Sequence, residues 1–176
     1  MKGAKMLSQK IENALNDQIA KEAYAANYYL SMASWCEKSG LRGCSGFMYE
    51  QSDEELEHMM KLFRYVNAAG GHSIVSAVKE PPSTYKSIVQ VFEMALEHEI
   101  GVTKSINKLV ELCFAEKDYS SFNFLQWYVS EQHEEEKLFN SILDVIKISG
   151  TDGRGLLLLD NEITKLRDQE EKEDDD

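Results

Sequence analysis

Four glutamates interrupt the apolar stripes of four predicted helices, each near the middle of its helix. They are Glu22, Glu55, Glu99 and Glu135. Apolar residues recur three or four positions away, which predicts that these carboxylates point inward. A glutamate is almost never fully buried unless it is paired, so each one alone could equally be an exposed residue at a helix edge. Four at one level would repel one another, and a pair of bound metal ions would compensate their charge.

A histidine one turn after the second glutamate strengthens this prediction. Glu55 and His58 are three positions apart, a spacing that directs both side chains to one spot beside a helix. The motif alone occurs often by chance, and its weight comes from the three further carboxylates at the same level. Oxygen ligands with a single imidazole suit iron or manganese better than a closed zinc site.

The composition narrows the class of function. The chain has 176 residues, with 31 acidic and 19 basic side chains and a net charge of −12. The length fits one domain, and the charge disfavours nucleic acid and anionic membrane surfaces as partners. Residues 1–17 lack the apolar core of a signal peptide, and the three cysteines form no C-x-x-C pair. We therefore expect a cytoplasmic protein with reduced, mostly buried thiols.

The elements that position these residues are long helices, because only two prolines and ten glycines interrupt the chain. Residues 70–83, which end with Pro81-Pro82, are too many for a simple turn. At about 3.3 Å per residue they span roughly 45 Å, more than the roughly 39 Å of a 26-residue helix. We predict an all-α four-helix bundle with one long crossover connection and a short fifth C-terminal helix. The predicted helices cover 7–38, 44–69, 84–115, 119–148 and 156–166.

The run FNFLQWYVSEQHEEEKLF, residues 122–139, resembles the bacterial non-haem ferritins, and the resemblance covers nearly the whole chain. It implies an intrasubunit di-iron ferroxidase centre in which Glu55 bridges the two irons. The implied residues of this centre are Glu22, Glu55, His58, Glu99, Gln132 and Glu135. A third iron site on the cavity side would have the ligands Glu54, Glu131, Glu134 and Glu135.

Other positions are interpreted through the same resemblance. Tyr29 matches a tyrosine beside the di-iron centre that can donate an electron, although a buried tyrosine bonded to a carboxylate could be structural alone. Gln132 stands where bacterioferritins and rubrerythrins have a glutamate of a Glu-x-x-His motif, and Leu56 where bacterioferritins have the methionine that binds haem. We therefore predict no haem. The remaining histidines, which we do not assign to metal, are His72, His98 and His133.

The resemblance implies iron storage and detoxification. Fe(II) would be oxidised to Fe(III) by dioxygen or hydrogen peroxide, and hydrous ferric oxide would be deposited inside a hollow shell of twenty-four identical subunits. The fifth helix would surround the fourfold axes. Because the second iron lacks a histidine, we expect it to bind more loosely, which favours transfer of iron into storage.

Two alternatives remain open at this point. The first is a di-iron or di-manganese peroxidase or oxidase that retains its metal pair, although such enzymes normally keep two histidines. The second is a metal-free helical interaction protein whose carboxylates are solvated.

The acidic character of the chain is concentrated in two places. Residues 168–176 carry seven acids and one lysine, a composition typical of a disordered tail, and we divide the chain into a domain of 1–167 and a tail of 168–176. The seven glutamates of the proposed iron sites account for the whole of the remaining excess, which leaves 17 acids and 18 bases elsewhere. The run Leu156–Leu159 is too apolar for a free segment, which predicts its burial.

Overall fold

The computed structural model describes residues 7–174, and every regular element in that range is a helix. The first helix packs along the second and the third along the fourth, while the fifth packs against the second and fourth. This confirms the all-α four-helix bundle with an added C-terminal helix. None of the described helices combines the length and apolarity needed to cross a membrane. The helices are α1 Gln9–Lys38, α2 Arg42–Ala68, α3 Ile88–Ala115, α4 Tyr119–Ser149 and α5 Gly153–Asp174.

Side-chain caps set the starts of three helices. The hydroxyl of Ser8 accepts a hydrogen bond from the backbone N–H of Ile11, which begins α1. Asp118 caps α4 as the sequence predicts, with Oδ1 3.0 Å from the backbone nitrogen of Ser121. Ser87 caps α3, so this helix begins four residues later than the predicted start at residue 84.

The fifth helix is longer at both ends than predicted. Asp152 accepts hydrogen bonds from the first backbone N–H groups of α5, and the helix continues through Asp174. Residues 168–174 belong to this helix, although their acidic composition predicts disorder; they contain no glycine or proline and include several good helix formers. Residues 175–176 of the tail lie outside the described residues, and the division at residue 167 stays a prediction.

The long connection between α2 and α3 runs beside α1. The side chain of Asn16 on α1 donates to the carbonyl of His72 and accepts from the N–H of Ile74, at 3.0 and 2.7 Å. Near the other end of α1, the hydroxyl of Ser31 donates to the carbonyl of Pro82. Because both ends of the connection contact the same helix, the segment crosses the length of the bundle, as predicted.

The core consists of two apolar clusters separated along the bundle. One contains Tyr29 of α1 and Phe139 of α4, and the other contains Ile19 and Leu125 of the same two helices. In all four long helices the chain passes from one cluster to the other across a short polar stretch. The predicted inward glutamates occupy these stretches, namely Glu22, Glu55, Glu99 and Glu135.

Two apolar residues at helical spacing from buried ones do not face the core, namely Leu30, four residues after Ala26, and Val129, four residues after Leu125. Leu30 and Val129 are 47% and 36% exposed, because the neighbouring Tyr29 and Tyr128 take the inward positions. Within the run 156–159, Leu159 is buried, whereas Leu157 and Leu158 are exposed on this single chain. The prediction of buried thiols is confirmed for all three cysteines, Cys36, Cys44 and Cys113.

Candidate metal centre

The most compact group of potential metal ligands comes from α1 and α2. Glu22, Glu55 and His58 each offer one donor atom, and these atoms lie within 4.8 Å of one another. The three side chains are buried between the two apolar clusters. Oε2 of Glu22 and Oε2 of Glu55 accept no hydrogen bond from the described residues, although Nδ1 of His58 lies 3.5 Å from the Glu55 oxygen. Buried polar atoms are rarely left in this condition, which indicates that the two oxygens face a binding position.

The opposite side of the site comes from α3 and α4 and is arranged differently. Glu99 is fully buried, and both of its carboxylate oxygens accept hydrogen bonds. The hydroxyl of Tyr29 donates to Oε1, and the side-chain amide of Gln132 donates to Oε2 over 2.9 Å. Glu135 is buried beside them, and its Oε2 has no hydrogen-bond partner. Gln132 therefore turns its nitrogen toward Glu99, so it orients that carboxylate and does not present its own oxygen.

Burial dominates the electrostatics of the cluster. Loss of hydration raises the pKa of all four inward glutamates, and repulsion adds to this effect, among the four themselves for Glu22, Glu55 and Glu135 and from Glu136 for Glu99. At His58 burial is again the largest influence and lowers the pKa, but the carboxylates of Glu131 and Glu55 outweigh it. The result is a pKa of about 11. Without a metal, the cluster therefore holds protons that a cation would replace.

This arrangement is suited to binding hard or borderline cations. Several carboxylates and one imidazole meet in a buried space, and the unpartnered oxygens belong to three different helices: α1, α2 and α4. Oxygen-rich sets with imidazole favour iron or manganese, whereas structural zinc sites are built mainly from cysteine and histidine. The ligand chemistry thus agrees with a site for Fe(II).

Known proteins resemble this chain over most of its length. Residues 12–149 match the family model described as Ferritin-like domain. The chain is 51% identical to the bacterial non-heme ferritin of Campylobacter jejuni over 161 residues, which cover 92% of this chain and 96% of that protein. A probable bacterial non-heme ferritin-like protein of Haemophilus influenzae is 49% identical, with 92% and 98% covered. The open pore ferritin of Archaeoglobus fulgidus superposes with a TM-score of 0.88 at 47% identity, covering 90% of this chain and 97% of that one.

The chain belongs to the ferritin family. Membership confirms the predicted class of function, an iron-storage protein with ferroxidase activity. It also explains the buried oxygens of Glu22 and Glu55 that accept no hydrogen bond, because ferritin subunits handle iron as their substrate.

The residues of the implied third site lie beside the buried ferritin centre. Glu54 and Glu131 line an open cavity of about 680 Å³ between α2 and α4, and His58 forms part of its wall. His58 connects the two regions, because Nδ1 lies 3.5 Å from Glu55 and Nε2 lies 3.5 Å from Glu131. Glu134 is half-buried on α4, one position before Glu135. His58 thus belongs both to the buried cluster and to the wall of this cavity.

The three histidines left unassigned lie elsewhere. His72 is in the crossover, where its backbone contacts Asn16. His133 is exposed on α4. His98 packs its ring against Tyr28 and Tyr24, with ring centroids 4.8 and 5.8 Å apart, and its Nε2 is buried without a hydrogen-bond partner.

Two glutamines near the ligands have roles that the sequence analysis does not predict. Gln18 donates its side-chain amide to Oε1 of Glu22 over 2.9 Å, and Gln51 donates to Oε2 of Glu54 over 2.7 Å. Each lies one helical turn before its carboxylate, at spacing i,i+4 or i,i+3. A glutamine one turn before an inward glutamate is therefore the signal that could have revealed them.

Proposed function

We propose that this ferritin oxidises Fe(II) at a di-iron centre inside each subunit and passes Fe(III) to a mineral store. The observation that supports this most directly is the buried group of Glu22, Glu55 and His58, with an unpartnered oxygen on each glutamate. Glu99 and Glu135 would bind the second iron, and Glu55 would contact both irons.

The reaction needs two Fe(II) ions for each oxidant molecule. Each Fe(II) gives up one electron, so a pair reduces one dioxygen and two protons to hydrogen peroxide. With hydrogen peroxide as the oxidant, the same two electrons and two protons yield two water molecules. Carboxylates suit this chemistry because they stabilise Fe(III) and change their coordination easily.

Other residues would supply an electron to the centre and receive the oxidised iron that leaves it. Tyr29 is buried and its phenol bonds to Glu99, and burial together with the nearby carboxylates raises its pKa well above the usual value. It therefore stays protonated and could give an electron and a proton together. Iron leaving the centre would reach the third site, where Glu54 and Glu131 border the open cavity between α2 and α4.

Storage requires a container, and we propose a cytoplasmic cage of twenty-four subunits without haem. Twenty-four chains of 20.1 kDa would elute from a sizing column near half a megadalton. The alternative enzyme that retains its metal pair would elute far lower and would keep its iron after oxidation. The single chain exposes Leu157 and Leu158 of α5, which agrees with further packing between subunits.

The decisive experiment adds Fe(II) to the purified protein in air and follows the rise of near-ultraviolet absorbance. We expect rapid oxidation and a mineral that remains with the cage, first with dioxygen and then with hydrogen peroxide under anaerobic conditions. Crystals soaked in ferrous salt, with anomalous data at the iron edge, would locate the ions. Oxidation no faster than in buffer alone, or iron density away from Glu22 and Glu55, would contradict the proposal.

A further inference from the structure

A line of hydrogen bonds runs from the surface of the bundle to Glu22. The ammonium of Lys21 donates to the hydroxyl of Ser105, and this hydroxyl donates to Oε1 of Gln18 over 2.6 Å. The amide nitrogen of Gln18 then donates to Oε1 of Glu22 over 2.9 Å. Every donor in the line points toward the carboxylate.

The three members of this line differ in burial. Gln18 is 1% exposed, Ser105 is half-buried and Lys21 is exposed. Ser105 and Lys21 line a cavity of about 460 Å³ next to α1 and α3, partly covered by Ala77 and Val78 of the crossover. The line therefore joins two helices and connects solvent with the interior through a residue that is itself buried.

The line occupies one oxygen of Glu22 and leaves the other available. Oε1 accepts from Gln18, while Oε2 has no hydrogen-bond partner. An inward carboxylate held in this way cannot rotate freely about its last bond without losing the bond to Gln18. Gln18 cannot rotate freely either, because its own oxygen accepts from Ser105. Partners of this kind orient metal ligands, and their loss typically weakens metal binding about 10- to 100-fold.

We propose that Gln18, held by Ser105 and Lys21, is a positioning residue that fixes Glu22 so that Oε2 faces the first iron. This inference rests on the proposed function, because it takes Glu22 as an iron ligand. The line orients Glu22 and does not carry protons, since an amide would have to pass through an unstable tautomer to relay one.

The test measures anaerobic binding of Co(II) to the full-length protein by calorimetry, together with the visible d–d absorption of the bound ion. Gln18→Leu and Ser105→Ala should weaken the first site about 10-fold or more and alter the spectrum. Ser105→Thr keeps the hydroxyl and should restore both, because the adjacent cavity has room for a methyl group. Lys21→Met removes only the outermost donor and should have the smallest effect.

A matched control is Gln126→Leu, because Gln126 donates only to the carbonyl of Phe122 one turn earlier on α4. It should leave Co(II) affinity and spectrum unchanged. Wild-type affinity and spectrum in both Gln18→Leu and Ser105→Ala would overturn the inference, as would equal losses in Ser105→Ala and Ser105→Thr. If Gln18→Leu does not fold, the comparison at Ser105 decides. An unaltered protein that binds no Co(II) tightly would overturn the proposed function and this inference with it.

Discussion

Gln132 donates its side-chain amide to Oε2 of Glu99, while Tyr29 donates to the other oxygen of the same carboxylate. On the opposite side of the centre, Oε2 of Glu22 and Oε2 of Glu55 accept no hydrogen bond from the described residues, and Nδ1 of His58 lies 3.5 Å from the Glu55 oxygen. A metal ion can therefore bind these two oxygens without competing with a hydrogen-bond donor, once the imidazole of His58 has lost its proton. At the second position both oxygens of Glu99 already accept hydrogen bonds, so a metal ion competes there with Gln132 and Tyr29. The two halves of the centre are thus unequal before any iron binds.

This inequality predicts stepwise binding. In an anaerobic titration with Fe(II), we expect one tight ion per subunit at Glu22, Glu55 and His58, followed by a second that binds at least about 10-fold more weakly. The physical reason is the hydrogen bond that Glu99 gives up and the absence of a second imidazole. Isothermal titration calorimetry measures both steps. Two ions of equal affinity would contradict the prediction.

Replacing Gln132 by histidine should reduce the inequality. The change removes the amide bond to Glu99 and adds an imidazole near the second position. We expect tighter binding of the second Fe(II) and slower release of oxidised iron to the mineral, measured by titration and by repeated additions of Fe(II). The control is His133→Gln at the neighbouring, exposed position, which should change neither quantity. Faster turnover in the histidine variant would exclude the link between affinity and release.

The extent to which the sequence predicts this site depends on the kind of contact involved. Inward placement of Glu22 and Glu99 follows from helical periodicity, because the period fixes which residues share a face. The bond from Ser105 to Gln18 joins α1 to α3 and depends on how the helices are rotated against each other, which no single-helix pattern contains. Helix rotation also explains why Val129 is exposed: it continues the apolar spacing from Leu125 but lies at the edge of the packed face.

Glu135→Gln should raise the stability of the iron-free protein and weaken its binding of iron. Burial and the charges of Glu99, Glu55 and Glu54 raise the pKa of Glu135, so its ionised form is unfavourable in the metal-free fold. A neutral amide removes that repulsion, and we expect the melting temperature of the iron-free protein at neutral pH to rise by a few degrees. Binding of the second Fe(II) should be lost. The exposed Glu111→Gln serves as the control and should alter neither property. If the variant oxidises Fe(II) at the normal rate, Glu135 is not a ligand of the di-iron centre.

Metal binding should release protons. The raised pKa values mean that the glutamates stabilise the fold when protonated: their contribution is complete below about pH 4.5 and is lost as the pH rises through the raised values. The contribution of His58 is likewise complete below its usual pKa of 6.5 and is lost as the pH rises through about 11. Near pH 7 a cation must displace these protons, so affinity should rise by about tenfold per pH unit for each proton released.

Calorimetric titrations with Co(II) in two buffers of different ionisation enthalpy measure this release. We expect the apparent binding enthalpy to differ between the buffers at pH 7, with at least about one proton released per subunit. A variant that lacks the imidazole, His58→Ala, should release fewer protons per bound ion than the unaltered protein but not none, because the glutamates with raised pKa values also hold protons. Identical enthalpies in both buffers would show that the centre is already deprotonated, against the direction of the pKa values.

The docking of α5 on α2 depends on one glycine. A Cβ atom on Gly43 would lie 1.8 Å from the backbone oxygen of Asp160. The side chain of Asp160 accepts a hydrogen bond from the N–H of Cys44, in the first turn of α2. The residue before α2 forms no side-chain cap, so this bond from α5 serves the start of the helix. Gly43→Ala should therefore displace α5, which would lower the melting temperature and expose α5 to limited proteolysis. If α5 lies at subunit contacts, the same change should also impair assembly of the cage. Gly46→Ala, one turn later with open space around it, should be neutral or stabilise by about 0.5–1 kcal/mol. Equal melting temperatures and digestion patterns for the two variants would refute this account, because only Gly43 is in contact with α5.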